Sequence, residues 1–583
     1  GVDVTGTATM DGLTVNSGNT NTVATFESTD ATARIVLKDN SGQAQLQCEG
    51  DNLVFGNTAS GSERVRITSS GNVGIGTSSP EGTLQVQNAS NNALVLNAPA
   101  NRYNSVGFQT AGTDKWWLGR ADSDQIASDA FFIGTDAGNA TDPGGLNAKL
   151  VIDTSGNIIV PAGSGTIQTA TAGTSNFRAG VNAGNSIASG GDYNTVVGDE
   201  AGTSISTGDR NVAVGYNAGK EITTSGSNTL VGAHSGDALN TGNHNVALGY
   251  ATLSADTKGD RNVAVGSLAL QNQNFTSTTD SYNIAVGYGA GNAITTGSNN
   301  TLVGGLAGDV LSTGNSNVAV GLHTLGTDTQ GDRNVAVGAL ALQNQNFTSS
   351  TDSYNVGVGY NAGNDLTTGL NNTLVGGLAG DALTDADSNV AVGYAALSTD
   401  TLGSRSVAIG RNALAHQNLT SATNVYNTAL GYQAGYEVTT GLNNTLVGGL
   451  TGDELTTGSE NVALGRSALS GDTLGSHSVA VGFQALASQN LTSATDVHNV
   501  AVGYNAGVEV TTGLNNTLVG GLTGDALTTG NYNVIFGGLS DSTAVDSEKA
   551  QGFGYNVSCA AGYTTIGSGA DDIRAAHGNV TWA

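Results

Sequence analysis

Proline is nearly missing from this 583-residue chain, and its four copies, Pro80, Pro99, Pro143 and Pro161, all fall early. Proline has no N–H to give to a sheet ladder, so its complete absence after Pro161 implies backbone pairing at almost every later position. Cysteine is as scarce. Cys48 and Cys559 lie at opposite ends of the chain, which excludes a disulfide framework and a thiolate zinc site. Basic residues number 19 against 47 acidic ones, for a net charge of −28; such a chain repels nucleic acid and anionic membrane surfaces. No run approaches the ~18 consecutive apolar residues of a membrane span. No charged-then-apolar leader opens the chain, and it begins at Gly1 rather than Met, which suggests a processed or partial product.

Glycine is what the chain has in excess. Its 87 copies are about 15% of the residues, twice the usual ~7%. Beyond a boundary near residue 165 the glycines keep time. A pentad of Asn or Ser, three residues rich in Val, Ala or Leu, and then Gly starts at residue 194 and recurs to residue 533, twenty copies in all. The steps settle into three of 17 and one of 21, a 72-residue super-repeat marked by Asn262, Asn334, Ser406 and Ser478.

Asn211-Val212-Ala213-Val214-Gly215 alternates with period 2, the spacing of a strand. Val212 and Val214 share one face, Asn211 and Ala213 the other. The shorter step is too short for a strand, a helix and two connections. It suits two short strands and two tight turns, with segments such as Leu311–Gly314 supplying the second strand. The fold expected is therefore all-β, a parallel β-solenoid of about twenty 17- or 21-residue coils around a thin core of Val, Leu and Ile. The closing glycines (Gly215, Gly266, Gly338, Gly410 and Gly482) would turn the backbone at positive φ and let coils stack closely. The leading asparagines, Asn211, Asn262 and Asn334 among them, would form an amide ladder. A coil this slim leaves apolar residues such as Leu306 and Ala307 near solvent, where further chains could cover them.

Three resemblances follow from particular segments. Ser406-Val407-Ala408-Ile409-Gly410 with Arg411–Ala415, and Ser478–Gly482, resemble the repeat of YadA-type trimeric adhesin heads, although the coils of those heads are shorter than the ones in this chain. The likeness covers 176–540 and implies a homotrimer of left-handed β-rolls. Ser69–Pro80, with a second copy of its pattern at Leu150–Val160, resembles the β-rich shaft of bacteriophage tail fibres. Gly569–Gly578, continuing to Trp582-Ala583, is similar to the stretch before a self-cleaving intramolecular chaperone, so Ala583 would be at or near a maturation end. Together they imply a trimeric tail fibre built from a shaft or attachment region (1–165), a β-roll (166–540) and a C-terminal cap or tip (541–583). It would sit on the virion, outside cells, bound to tail or baseplate proteins and to a host surface glycan or protein. The rivals are a bacterial trimeric autotransporter adhesin passenger and a tailspike polysaccharide depolymerase.

Chemistry is hard to find in the sequence. Gly287-Tyr288-Gly289-Ala290-Gly291 has neither the following helix nor the acid that a nucleotide fingerprint needs. Asp237, Asp309, Asp381, Asp453 and Asp525 recur once per super-repeat, which at four coils is roughly 19 Å, so the column cannot form a glycosidase carboxyl pair with itself, although neighbouring coils or chains could supply partners. They read as solvated turn carboxylates, with a loose calcium site as the alternative. The seven histidines contain no His-x-His or His-x3-His pair, so no metal site within one chain is expected. Arg261, Arg333, Arg405 and His477 form a column of edge charges. No enzyme and no cofactor are expected. Tyr288, Tyr360, Tyr432 and Tyr504, each following a pentad glycine, are candidates for receptor contact, as is Trp582. The preferred reading of such aromatic rows is packing between coils or chains, with receptor contact the weaker alternative. The extra residues of the longer coils, around Gln273-Asn274-Phe275 and its three equivalents, should bulge outward.

Overall fold

The structure, a computed structural model, describes residues 26–29, 31–57, 62–87, 104–110, 113–120, 131–134, 148–152, 158–159 and 172–578. Trp582 and Ala583 lie outside the described residues. The described residues contain strands and turns but no helix. The chain divides into two compact units, residues 1–167 and 168–583.

The first unit holds two meandering sheets, one of six strands and one of five. The two fibre-like segments build the same device in each. Thr68–Asn72 turns the chain so that Ile67 pairs with Val73 in antiparallel register, and Ile152 pairs with Ile158 likewise. Val54 is the one buried hydrophobic side chain among the described residues of this unit, whereas Leu37, Phe55, Leu84 and Trp116 are exposed. Among the described residues, then, these sheets bury almost no core of their own.

The second unit is a parallel β-solenoid. Its main sheet has 24 strands, from Phe177–Ala179 to Asp571–Ala576. All are parallel and in sequential register except the last, which folds back antiparallel on Tyr563–Ser568. The twenty pentads supply twenty of these strands; Phe177–Ala179 precedes them, and Gln551–Tyr555 and Tyr563–Ser568 carry the parallel stack past residue 540. Rungs about 4.8 Å apart make this stack roughly 105 Å tall.

The core holds Leu and Ile as expected, but alanine takes the place expected for most of the valine. In Val212–Val214 the inward residue is Ala213, fully buried, while both valines face outward and are half-buried. The interior is a column of mostly Ala and Leu from the strand centres, with Val196 and Ile535 among the exceptions, joined by residues from the following bend such as Ala218 and Ile222. Alanine is favoured because the coil closes on itself so tightly. Where Leu occupies the central position, as at Leu374, glycine makes room: a Cβ on Gly363 would lie 2.7 Å from Leu374 Cδ1. Ala307 likewise points inward and is fully buried, contrary to expectation.

The pentad ends behave as anticipated. Asn211 Oδ1 accepts from the backbone N–H of Asn228 at 3.1 Å, and Asn211 Nδ2 donates to Ser225 O at 2.9 Å. The same pair of bonds recurs in most coils, as at Asn300, so these buried amides satisfy the backbone of the next rung; at Asn262 the amide instead donates to Asn245 Oδ1, and Asn334 Nδ2 has no partner among the described residues. Gly215 sits at φ 134°, and a Cβ there would come within 2.6 Å of Gly232 O. Only glycine allows rungs to lie this close.

The second strand departs from expectation. Leu311–Gly314 forms no strand, although Ser312 N still donates to Thr329 O in the next coil. Two-residue strands occur instead at the junctions of shorter and longer coils, Gly259–Asp260 against Thr279–Asp280 being the first. A buried aspartate organises each junction. Asp256 Oδ2 accepts from Gln273 Nε2 at 2.6 Å, and Oδ1 accepts from Gly259 N at 3.0 Å. Gln273 and Phe275 therefore fold inward and are buried, while Asn274 between them and the tip at 276–278 are exposed.

Candidate interaction surface

Two columns of side chains flank the outward valines. The first follows the pentad glycine and contains Tyr216, Tyr250, Tyr288, Tyr360, Tyr394, Tyr432 and Tyr504, all about half exposed. The tyrosine rings lie beside small residues of the adjoining coil; a Cβ on Gly377 would touch Tyr394 Cδ2 at 3.6 Å. Arg411 lies over the Tyr394 ring at 5.9 Å, and Phe483 stacks on Tyr504 at 5.4 Å and 9°. The four tyrosines singled out by sequence thus belong to a longer aromatic row with one flank open to solvent. Flat, half-wet rings of this kind suit sugars or another protein.

The second column precedes the pentad and has a left-handed backbone; Arg261 and Tyr282 have φ of 61° and 48°. Here the edge charges make specific bonds rather than simply blocking strand pairing. Arg261 lies over the Tyr282 ring at 5.6 Å and pairs with Asp280. Arg333, Tyr354 and Asp352 repeat the arrangement. Arg405 lies over Tyr426 and donates to its hydroxyl at 2.5 Å. In the fourth super-repeat both partners become histidine. The His477 and His498 rings are 5.0 Å apart, and with Asp496 they place three ligand atoms within 4.8 Å of one another. Sequence spacing hid this cluster because the two histidines are separated by one whole long coil.

The aspartate column is not freely solvated. Asp381 and Asp453 each have one carboxylate oxygen buried without a hydrogen-bond partner. Burial, helped by the like charges of Asp365 and Glu454, pushes both carboxyls up to about 6. Burial also raises Asp309, and the junction carboxyls Asp256, Asp328 and Asp472. Successive members remain four coils apart, so the column assembles no carboxyl pair.

No protein-family model matches this chain, and no curated protein sequence matches it.

An apolar stripe joins these columns. Outward positions of the main sheet expose Leu248, Ile284, Leu430 and Leu464, and towards the end of the stack Phe536, Phe553, Ile566 and Ile573. Phe536 and Phe553 stack at 5.7 Å and 7°. With half-buried valines between them, these residues run along the whole parallel sheet, far beyond the scattered apolar residues of an ordinary surface.

Proposed function

We propose that the chain is the subunit of a homotrimeric phage tail fibre, a stiff spacer that attaches the virion to a glycan or protein on the host surface. Its β-roll would be left-handed, as in the trimeric adhesin heads that the pentads resemble. The observation that carries this reading is the continuous outward stripe of Val, Leu, Ile and Phe. Burying such a stripe favours association at about 25 cal/mol per Å² of apolar surface, and a parallel stack presents it with constant geometry to identical neighbours. The first unit supports the same reading, since sheets with Leu37, Phe55 and Leu84 exposed need other chains to cover them. The aromatic rows offer repeated weak contacts, which a trimer multiplies through effective concentration. A bacterial adhesin passenger would use the same surface.

Sedimentation equilibrium of the full chain tests the assembly. Three copies of the 58.0 kDa chain are expected, and Val335→Asp with Val337→Asp should release monomers. A wild-type chain that stays monomeric at micromolar concentration overturns the reading. For attachment, binding to bacterial surface polysaccharides should fall on replacing Tyr288, Tyr360, Tyr432 and Tyr504 by Ala, with melting unchanged. Sustained release of reducing ends from such a polysaccharide would instead mark a depolymerase.

A further inference from the structure

We propose that His477, Asp496 and His498, backed by Glu460, form a binding site for a divalent cation of the zinc class. The solenoid creates the site by stacking. Gly475–Ser476 pairs in parallel with Thr495–Asp496, Ser476 opposite Asp496, so His477, next after the first strand, and His498, two residues past the second, are carried to one edge with buried Val497 between Asp496 and His498. His477 and His498 both have left-handed backbone conformations, φ 62° and 53°, which turn them out at the same corner of successive coils.

The protein's own repeats are the control. At this corner the first two super-repeats hold Arg261, Asp280 and Tyr282, then Arg333, Asp352 and Tyr354; the third holds Arg405, Asn424 and Tyr426. There a guanidinium over a phenol ring completes the corner without an ion. In the fourth, arginine and tyrosine are both exchanged for histidine, and an acid, Asp496, stands beside them. Two imidazoles and a carboxylate are a ligand set for zinc and its first-row neighbours.

The hydrogen bonding around His477 points the same way. Its Nε2 lies 3.1 Å from Glu460 Oε2 in the coil below, and its Nδ1 lies 3.1 Å from Asp496 Oδ1 in the coil above. Nδ1 is buried and has no hydrogen-bond partner of acceptable geometry. If Nε2–H donates to Glu460, the Nδ1 lone pair of the neutral ring faces a carboxylate oxygen, a repulsion that a proton or a metal cation between them relieves. A metal-bound imidazole normally gives its other N–H to a carboxylate, and Glu460 is placed for that. Asp496 is 70% exposed along its side chain, so an ion can enter and the acid can adjust to bond lengths of about 2.0–2.2 Å.

The full chain, stripped with EDTA, is titrated with ZnCl2 by calorimetry and with CoCl2 by visible absorption. One ion per chain is expected, with cobalt bands that report nitrogen and oxygen ligands. The double variant His477→Arg, His498→Tyr restores the pairing of the earlier super-repeats, so it should fold and melt as the metal-free wild type does. It should bind neither ion at the concentrations that saturate the wild type. Glu460→Gln should weaken zinc about 10- to 100-fold. A wild type that takes up no zinc or cobalt overturns the proposal. So does a double variant with wild-type affinity, because the uptake would then belong to other histidines.

Discussion

Gly448 and Gly449 are adjacent in sequence, yet substitution by alanine should affect them very differently. Gly448 closes its pentad at φ +140°, and a Cβ there would stand 2.6 Å from Gly465 O and 2.7 Å from Gly465 C in the next rung. Ordinary contact begins near 3.4 Å, so the rungs must part by about 0.8 Å at this point, and backbone, unlike a side-chain tip, cannot swing away. Two ladder bonds adjoin the clash, Gly448 N to Leu430 O and Gly465 N to Val447 O, both 2.8 Å. Weakening them costs about 1 kcal/mol each. Holding alanine at a φ reserved for glycine adds about 1–3 kcal/mol. Gly448→Ala should therefore destabilise the stack by about 3–5 kcal/mol. At Gly449 the nearest atom to a Cβ is Tyr432 O at 3.9 Å, and Gly449→Ala should change stability by about 0.5 kcal/mol or less. Hydrogen exchange of the two variants reads the difference locally, since each rung leans only on its neighbours; protection should fall around rungs 430–465 in the first and nowhere in the second. Equal protection in both would refute the argument that close rung stacking, rather than general glycine flexibility, selects these glycines.

Three further predictions concern buried and half-buried side chains. Asp381 and Asp453 have folded pKa values of about 6 against about 3.9 unfolded, so the folded chain holds their protons more tightly. Their stabilising contribution is complete below about pH 4 and fades as pH rises through 6. Allowing for half exposure, the loss is about 1 kcal/mol per group. Asp381→Asn with Asp453→Asn should thus raise the melting temperature at pH 8 and leave it unchanged at pH 4. Gln489→Ala removes the Nε2 donor held 2.6 Å from buried Asp472 Oδ2 and should cost about 3 kcal/mol, seen as loosened exchange at 472–500. Leu374→Ala empties the space shared with Gly363 and Gly380 and should cost about 3–5 kcal/mol, measured by denaturant unfolding of the full chain.

Much of the fold could be read from the spacing of residues. A pentad that returns at two fixed steps stacks in register, and period-2 alternation made its middle a strand. Asparagine ladders and positive-φ glycines followed from that register. The inside and the outside were another matter. Val212 and Val214 are the larger side chains, so the pentad read as a valine core. The structure puts Ala213 inward, because so short a coil closes on too little volume for two valines. Gln273 and Phe275 looked like an outward bulge until Asp256, a residue of the preceding coil, was seen to draw them in. The candidate surface divided in the same way: the tyrosine columns were visible as a rhythm of one per super-repeat, but the Arg–Tyr stacking and the His477–His498 meeting were not, since each joins residues one coil apart.

The sequence by itself determined that this chain is a register-locked stack, acidic and poor in core, because periodicity is a property of order along the chain. Only the tertiary structure decided which face of each rung is buried and which distant side chains meet. Those outcomes depend on how tightly the coil closes and on what the rungs above and below supply, and neither is written in any one repeat.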